Sequence, residues 1–347
     1  MSTGFQAVQW NRTKLIYDLV LVAGAATFIA IYSGLAFAFA SPEKPALWED
    51  VRIHAFGACA FLMITIILCI GPLARLNPKF LPLLYNRRHF GVIAFIIALS
   101  HAFFVFEWFA ARGALPSLWT EIANPVNYTQ FAGISNKPLG LAALFIFFLM
   151  AATSHDYWLK VLSPPFWKAM HMAIYIAYAL IVMHVAMGVM QNNHSPLVPL
   201  ILFFTAGSVV ALHVATGLKE WIVDKGVASN AEGWIPVGAP ESIIDKRARI
   251  VAAPGGERIA VFRDGQTIGA VSNLCAHQNG PIGEGEIVDG CITCPWHGWQ
   301  YKLDDGRSPP PFKEELATYP VRLRDGIVEV HRDALPPGTP AAMTLPA

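Results

Sequence analysis

The 347-residue chain reads as an all-α membrane bundle of six helices followed by a small all-β domain. Three observations predict this. Of the 49 Asp, Glu, Lys and Arg residues, only 19 precede Lys219, whereas 30 fall in the last 129 residues. Six apolar segments before Lys219 approach the roughly 20 residues that a helix needs to cross the hydrocarbon core. After Ile235 the pattern changes to short apolar runs punctuated by Asp-Gly pairs, which favour hairpin turns.

The first span is placed at Leu19 to Ala40, which carries no charge. The second is Ala55 to Ala74 and the third His89 to Ala111, interrupted only by His101 and Glu107. Pro138 to Ser154 forms a shorter fourth. No Asp, Glu, Lys or Arg lies between Lys168 and Lys219, so the fifth and sixth spans share that run, with residues 191–196 as the turn. With the amino terminus in the cytoplasm, the inner segments carry ten Lys and Arg and the outer ones four. That bias places the carboxyl-terminal domain in the cytoplasm as well; the membrane expected is a bacterial inner membrane. The amino terminus shows no cleavable leader.

Six runs predict strands: 249–251, 258–262, 267–271, 286–288, 319–323 and 327–330. The domains are read as 12–220 in the membrane, 221–233 as a linker, 234–331 as the β domain and 332–347 as an irregular surface tail. A net charge of +1 gives no support to nucleic-acid binding. Cys59 and Cys69 sit in an apolar span and read as small buried hydrophobes. Cys291 is the only spare cysteine in the soluble part, so no disulfide framework is implied.

The β domain carries Cys-Ala-His at Cys275 and His277, then Cys-Pro-Trp-His at Cys294 and His297. Two thiolates and two imidazoles from two loops can hold a 2Fe-2S cluster of Rieske type, two Cys on one iron and two His on the other. The same ligand types serve structural zinc. The surroundings favour iron and sulfur: Gly280-Pro281 follows the first pair, Gly298 the second, and residues 308–312 supply a rigid lid.

Ionisable side chains inside spans are rare and usually functional. His89 and His101 lie on the third span, His171 and His184 on the fifth. Their separations of 12 and 13 residues correspond to about 18–20 Å of helix rise. The pairs therefore match in depth, His89 with His171 near the cytoplasmic face and His101 with His184 in the outer half. Paired neutral imidazoles can ligate haem iron from both sides, which allows one or two haems. Any of these His could instead hydrogen-bond a neighbouring helix. His54 and His213 read as structural or as part of a substrate site, and His155 and His194 as loop residues. Glu107, His54 and Arg112 are expected near the outer face, where they would serve proton-coupled chemistry.

Residues 87–91 with His101, Thr153-Ser154, and residues 166–171 with Tyr175 and His184 resemble the ferric reductase-like transmembrane domain. Within that family the likeness is to the haem-binding membrane subunit of the bacterial methionine sulfoxide reductase system, over roughly residues 12 to 220. It implies b-type haem and transmembrane electron transfer, with His101, His171 and His184 as ligands. His89 departs from that subunit's pattern and matches the NADPH oxidase branch better.

Residues 234 to 331 resemble Rieske ferredoxin-like domains, and those serving oxygenases share the Cys294 to Trp299 run. The respiratory branch has a loop-bracing disulfide whose cysteines would fall at Gly280 and Trp296, and a Ser where Trp299 stands. Both features are absent here, which implies a reducing compartment and a low, ferredoxin-like potential. Tyr301 keeps the phenol position.

Neither half carries a nicotinamide or flavin signature. The expected function is therefore a one-electron path. A cytoplasmic reductase or ferredoxin donates to the cluster, and haem passes the electron to a quinone, a ferric chelate or a periplasmic redox protein. Two alternatives are quinol-derived electrons leaving through the cluster to a cytoplasmic partner, and a non-enzymatic redox sensor. A self-contained Rieske oxygenase would need a further large soluble domain with a mononuclear iron site, and the chain has no room for one.

Overall fold

The computed structural model describes residues 12–43, 45–84, 86–123, 135–154, 158, 161–192, 197–225, 229–255, 257–277, 279–296 and 298–346. His155, His194 and His297 lie outside these residues. The chain folds as two compact units. One combines Thr13–Ile70 with Arg87–Leu212; the other is built mainly from Gly71–Asn86 and His213–Ala347.

The helices are α1 (Arg12–Ala38), α2 (Trp48–Leu76), α3 (Arg87–Ala111), α4 (Leu115–Ala123), α5 (Asn136–Ala152), α6 (Pro164–His171), α7 (Ile174–Asn192) and α8 (Leu197–Asp224). Among the described residues, five helices are long and apolar enough to cross a membrane: Lys14–Ala38, Trp48–Leu76, Arg87–Ala111, Phe166–Gly188 and Leu197–Asp224. The expected fourth span is α5, apolar but only 17 residues long. The fifth is made of α6 and α7. Between them Ala173 N–H donates to the Met170 carbonyl, a tighter three-residue reach that interrupts the α-helical ladder just after His171.

Within the helical unit, Ala55, Ala94, Ala143 and Ala177 are fully or almost fully buried. Small residues at these points let helix backbones approach closely where lipid supplies no hydrophobic drive. Thr65 Oγ1 donates to the Phe61 carbonyl at 2.8 Å and meets the Tyr178 hydroxyl at 3.0 Å between α2 and α7, giving that phenol a polar partner within the bundle. Leu19 and Phe203 are among the large apolar side chains turned outward.

The second unit contains an antiparallel β domain with eleven strands among its described residues. These are β1 (Trp234–Gly238), β2 (Ala248–Ala252), β3 (Arg258–Asp264), β4 (Thr267–Ser272), β5 (Glu286–Val288), β6 (Cys291–Thr293), β7 (Gln300–Lys302), β8 (Thr318–Tyr319), β9 (Val321–Arg324), β10 (Ile327–His331) and β11 (Met343–Thr344). Three sheets result, ordered β1-β10-β9, β11-β4-β3-β2 with β8 also on β4, and β5-β6-β7.

Strand β3 is buried on both faces. Ile259 and Val261 enter one core with Ile235, Val328 and Val330, while Ala260 and Phe262 enter a second with Ile292 and Tyr301. Alternation along the strand thus feeds two cores, which is why its sequence is continuously apolar. Asp289-Gly290 and Asp325-Gly326 both take positive φ in two-residue hairpin turns, as their sequence predicts.

Two boundaries differ from the sequence reading. Helix α8 runs to Asp224, past the expected boundary at residue 220. The tail, expected to be irregular, instead pairs Met343 and Thr344 with Ile268 and Thr267 of β4 and buries Leu345 in the first core. A two-residue strand in a Pro/Ala-rich stretch has too little periodicity to be read from sequence, since it exists only through its partner.

The same unit joins the β domain to two helix ends. Arg258, at the start of β3, donates to both carboxylate oxygens of Asp224 at 2.8 and 2.7 Å and also to Glu220. Glu220 and Asp224 occupy the end of α8, where acidic groups oppose the helix dipole; the guanidinium offsets both. Arg75 donates to Glu284 at 2.7 Å, and Lys219 Nζ to the Arg75 carbonyl at 2.6 Å.

Candidate metal centres

Two loops of the β domain repeat one backbone solution. After β4, the Cys275 N–H donates to the Gly280 carbonyl (2.9 Å) and Asn279 N–H to the Cys275 carbonyl (2.7 Å). After β6, Cys294 N–H donates to the Trp299 carbonyl (2.8 Å) and Gly298 N–H to the Cys294 carbonyl (2.8 Å). The residue four beyond each cysteine, Asn279 or Gly298, has positive φ, a conformation that Gly and Asn tolerate best.

The loops bring Cys275 and Cys294 into the same buried cluster, each only 1% exposed. At Gly280 a Cβ would stand 2.8 Å from Cys294 Sγ and 3.2 Å from the Trp296 ring, inside contact distance, so the two loops close on each other only over a glycine. The Tyr301 hydroxyl lies 3.3 Å from Cys275 Sγ and accepts from the His277 N–H at 3.3 Å. Burial, reinforced by the adjacent Cys275, pushes this phenol far above the usual tyrosine range. It therefore stays protonated at neutral pH.

His277 stacks on Trp299, whose indole N–H donates to Ser308 Oγ at 3.1 Å and whose ring meets Phe312 edge-on at 4.4 Å. The 308–312 segment thus braces the indole beneath His277. Two buried thiols and an imidazole on paired loops, with a hydroxyl against one sulfur, fit the donor set of a Rieske cluster. Among the described residues no three His, Cys, Asp or Glu gather around a single point. Two irons ask for pairs of donors instead.

In the helical unit the rings of His101 and His184 face each other, centroids 6.4 Å apart and planes 80° apart. His101 Nδ1 bonds the Ile53 carbonyl on α2 at 2.9 Å, and His184 Nδ1 the Asn136 carbonyl on α5 at 2.7 Å. A carbonyl only accepts, so both Nδ1 atoms carry the proton and both Nε2 atoms keep their lone pair. Imidazole nitrogens ligate first-row metals at about 2 Å, which would put two rings flanking one iron about 6 Å apart. The pair fits that demand.

His89 and His171 have separate anchors. His89 Nδ1 meets Asp18 Oδ2 of α1 at 2.7 Å. His171 donates from Nδ1 to the Trp167 carbonyl at 3.0 Å and stacks on that indole at 3.7 Å. Its Nε2 is buried and makes no hydrogen bond among the described residues, which fits a metal ligand. His89 also fits, since metal-bound imidazoles usually give their other nitrogen to a carboxylate or carbonyl. Asp18 was not foreseen from sequence: a single acid near the start of a span carries no local signal.

The groups expected near the outer face have structural partners. Glu107 pairs with Arg52 at 3.0 Å, Arg112 with Glu49 at 2.9 Å, and His54 Nδ1 with the Asp50 carbonyl at 2.7 Å.

Comparison with known families agrees with both halves. Residues 55–182 match the ferric reductase like transmembrane component and residues 233–320 the Rieske 2Fe-2S domain. The anthranilate 1,2-dioxygenase ferredoxin subunit of Burkholderia cepacia is 39% identical over 102 residues, 28% of this chain and 91% of that protein. Choline monooxygenase of Beta vulgaris is 34% identical over 74 residues, 21% of this chain and 17% of that protein. A solved complex of reduced oxygenase and oxidized ferredoxin in carbazole 1,9a-dioxygenase contains a chain 25% identical, with a TM-score of 0.29, covering 30% of this chain and 98% of that one. The chain is an integral membrane protein that belongs to the Rieske 2Fe-2S family through its β domain and carries a ferric reductase-like transmembrane component ahead of it.

Proposed function

We propose that the protein is a membrane electron-transfer oxidoreductase component that moves single electrons between a Rieske 2Fe-2S cluster and b-type haem in the bilayer. Cys275, Cys294, His277 and His297 would hold the cluster. His101 and His184 would hold one haem, and His171 with His89 a second. The observation that carries this reading is the facing pair His101 and His184, with both Nδ1 atoms committed to carbonyls. When bound, cluster and haem each supply one-electron redox chemistry; the protein supplies ligation, distance and dielectric.

The chain's own groups divide that work. The protonated Tyr301 hydroxyl donates toward Cys275 Sγ and favours the more negative, reduced state of the site. The carbonyls of Ile53 and Asn136 hold two imidazoles in the tautomer that presents Nε2. Trp299, braced by Ser308 and Phe312, fixes the plane of His277.

The donor would be a cytoplasmic reductase or ferredoxin, and the acceptor a quinone, a ferric chelate or a periplasmic redox protein at the outer face of six spans, α5 included. The likeness to a dioxygenase ferredoxin favours a second direction, from quinol through haem and cluster to a cytoplasmic oxygenase. Purified membranes should show two haems and one 2Fe-2S cluster per chain by optical and paramagnetic resonance spectra with iron and haem quantified. Full haem content in the His101→Ala protein would sink the assignment. Stopped-flow mixing with a reduced ferredoxin and, separately, with a quinol would establish which end fills first; reoxidation by none of the named acceptors would point to sensing instead.

A further inference from the structure

The two facing histidines are seated by the same device used twice. His101 bonds the carbonyl of Ile53, and Gly57 follows one turn later on α2; a Cβ at Gly57 would stand 3.0 Å from both Cε1 and Nδ1 of His101. His184 bonds the carbonyl of Asn136, and Gly140 follows one turn later on α5; a Cβ there would stand 2.8 Å from the same two atoms of His184. Each histidine lies 48 residues beyond its carbonyl partner and 44 beyond its glycine.

The physics explains the pairing of glycine and carbonyl. A helical carbonyl at position i already accepts from the N–H at i+4 but has a second lone pair. Helical side chains lean toward the amino terminus, so the side chain at i+4 covers that carbonyl. Glycine at i+4 leaves it open, and an imidazole can lie on the bare backbone and donate Nδ1–H to it. Ordinary contact between heavy atoms falls at about 3.5–4.0 Å, so even a methyl group would turn or push back either ring.

We infer that Gly57 and Gly140 are positioning residues that set the mutually perpendicular planes of the His101 and His184 imidazoles, and that Ile53-Gly57-His101 and Asn136-Gly140-His184 form an internal repeat of one ligand seat. The inference rests on the proposed haem role of His101 and His184. The two fail differently: a wild-type protein without haem, or haem unaffected by His101→Ala, removes the haem role itself.

The test uses the full-length protein in detergent, comparing wild type with Gly57→Ala, Gly140→Ala and Gly34→Ala. Gly34 lies exposed on α1, and a Cβ there would meet nothing within 4 Å, so it controls for adding a methyl group to a helix. Low-spin ferric haem with perpendicular imidazoles gives a single large-g paramagnetic signal; the wild type should show one, identified as the signal that survives in His89→Ala and is lost in His101→Ala. Gly57→Ala and Gly140→Ala should each shift that signal or lose that haem while the cluster signal stays, and Gly34→Ala should leave both unchanged. If the signal identified in this way is instead typical of parallel planes, the inference is overturned without recourse to the glycine variants. A large-g signal so identified that neither Gly57→Ala nor Gly140→Ala alters overturns it as well.

Discussion

The imidazole of His277 lies flat on the indole of Trp299, ring centroids 4.1 Å apart and planes 11° from parallel. Trp299 is itself buried and tied to Ser308. Trp299→Ala should destabilise the β domain by about 3–5 kcal/mol, the usual cost of truncating a buried aromatic. Trp299→Phe keeps a ring beneath His277 and should lose only about 1 kcal/mol with the Ser308 bond. Thermal melts of the cluster's visible absorption in the two variants measure the difference.

Tyr301→Phe removes the only phenol against Cys275 Sγ among the described residues. Because that hydroxyl favours the reduced site, its loss should lower the cluster's midpoint potential. For a one-electron couple a tenfold change in equilibrium is about 59 mV, so a shift on the order of tens of millivolts is expected. Redox titration followed by paramagnetic resonance reads it, and a raised potential would contradict the assigned donor.

Asp18 and His89 meet at 2.7 Å between α1 and α3. His89→Ala should reduce haem content from two to one per chain. Asp18→Asn should weaken the second site rather than abolish it, since removing an outer partner of a metal ligand costs about 10–100-fold in affinity. Haem quantified per chain during reconstitution distinguishes the two, and two haems in His89→Ala would move the second site elsewhere.

Arg258 closes on Asp224 and Glu220 with its guanidinium about one-quarter exposed. Partly exposed pairs contribute about 1 kcal/mol or less and weaken with salt. Arg258→Glu places three acids together and should speed amide exchange at the end of α8 and the start of β3 while leaving the cluster spectrum intact. Raising ionic strength should move the wild type in the same direction.

What the sequence disclosed depended on how local the cause was. The meeting of Cys275, His277 and Cys294 was legible because their motifs sit in two short loops, and the Asp289-Gly290 and Asp325-Gly326 turns because their backbone demand lies in two residues. His101 and His184 were legible as a depth-matched pair because charge is scarce in a span. Gly57 and Gly140 were not, since glycine in an apolar helix acquires a meaning only from a ring 44 residues further on. Asp18 and the Met343–Thr344 strand were hidden for the same reason: their partners lie far away in the chain.

Gly280 gives this chain a gauge. A cluster site assembled from two separate loops needs its halves at one fixed separation, and a missing methyl group opposite Cys294 Sγ sets it. A methyl group at that position would stand 2.8 Å from the sulfur, well inside ordinary contact, so the close approach of the two loops is written into the chain itself. A larger residue there would keep every sulfur and nitrogen donor yet hold the halves ajar, so the chain would retain its ligands and lose its capacity to be loaded.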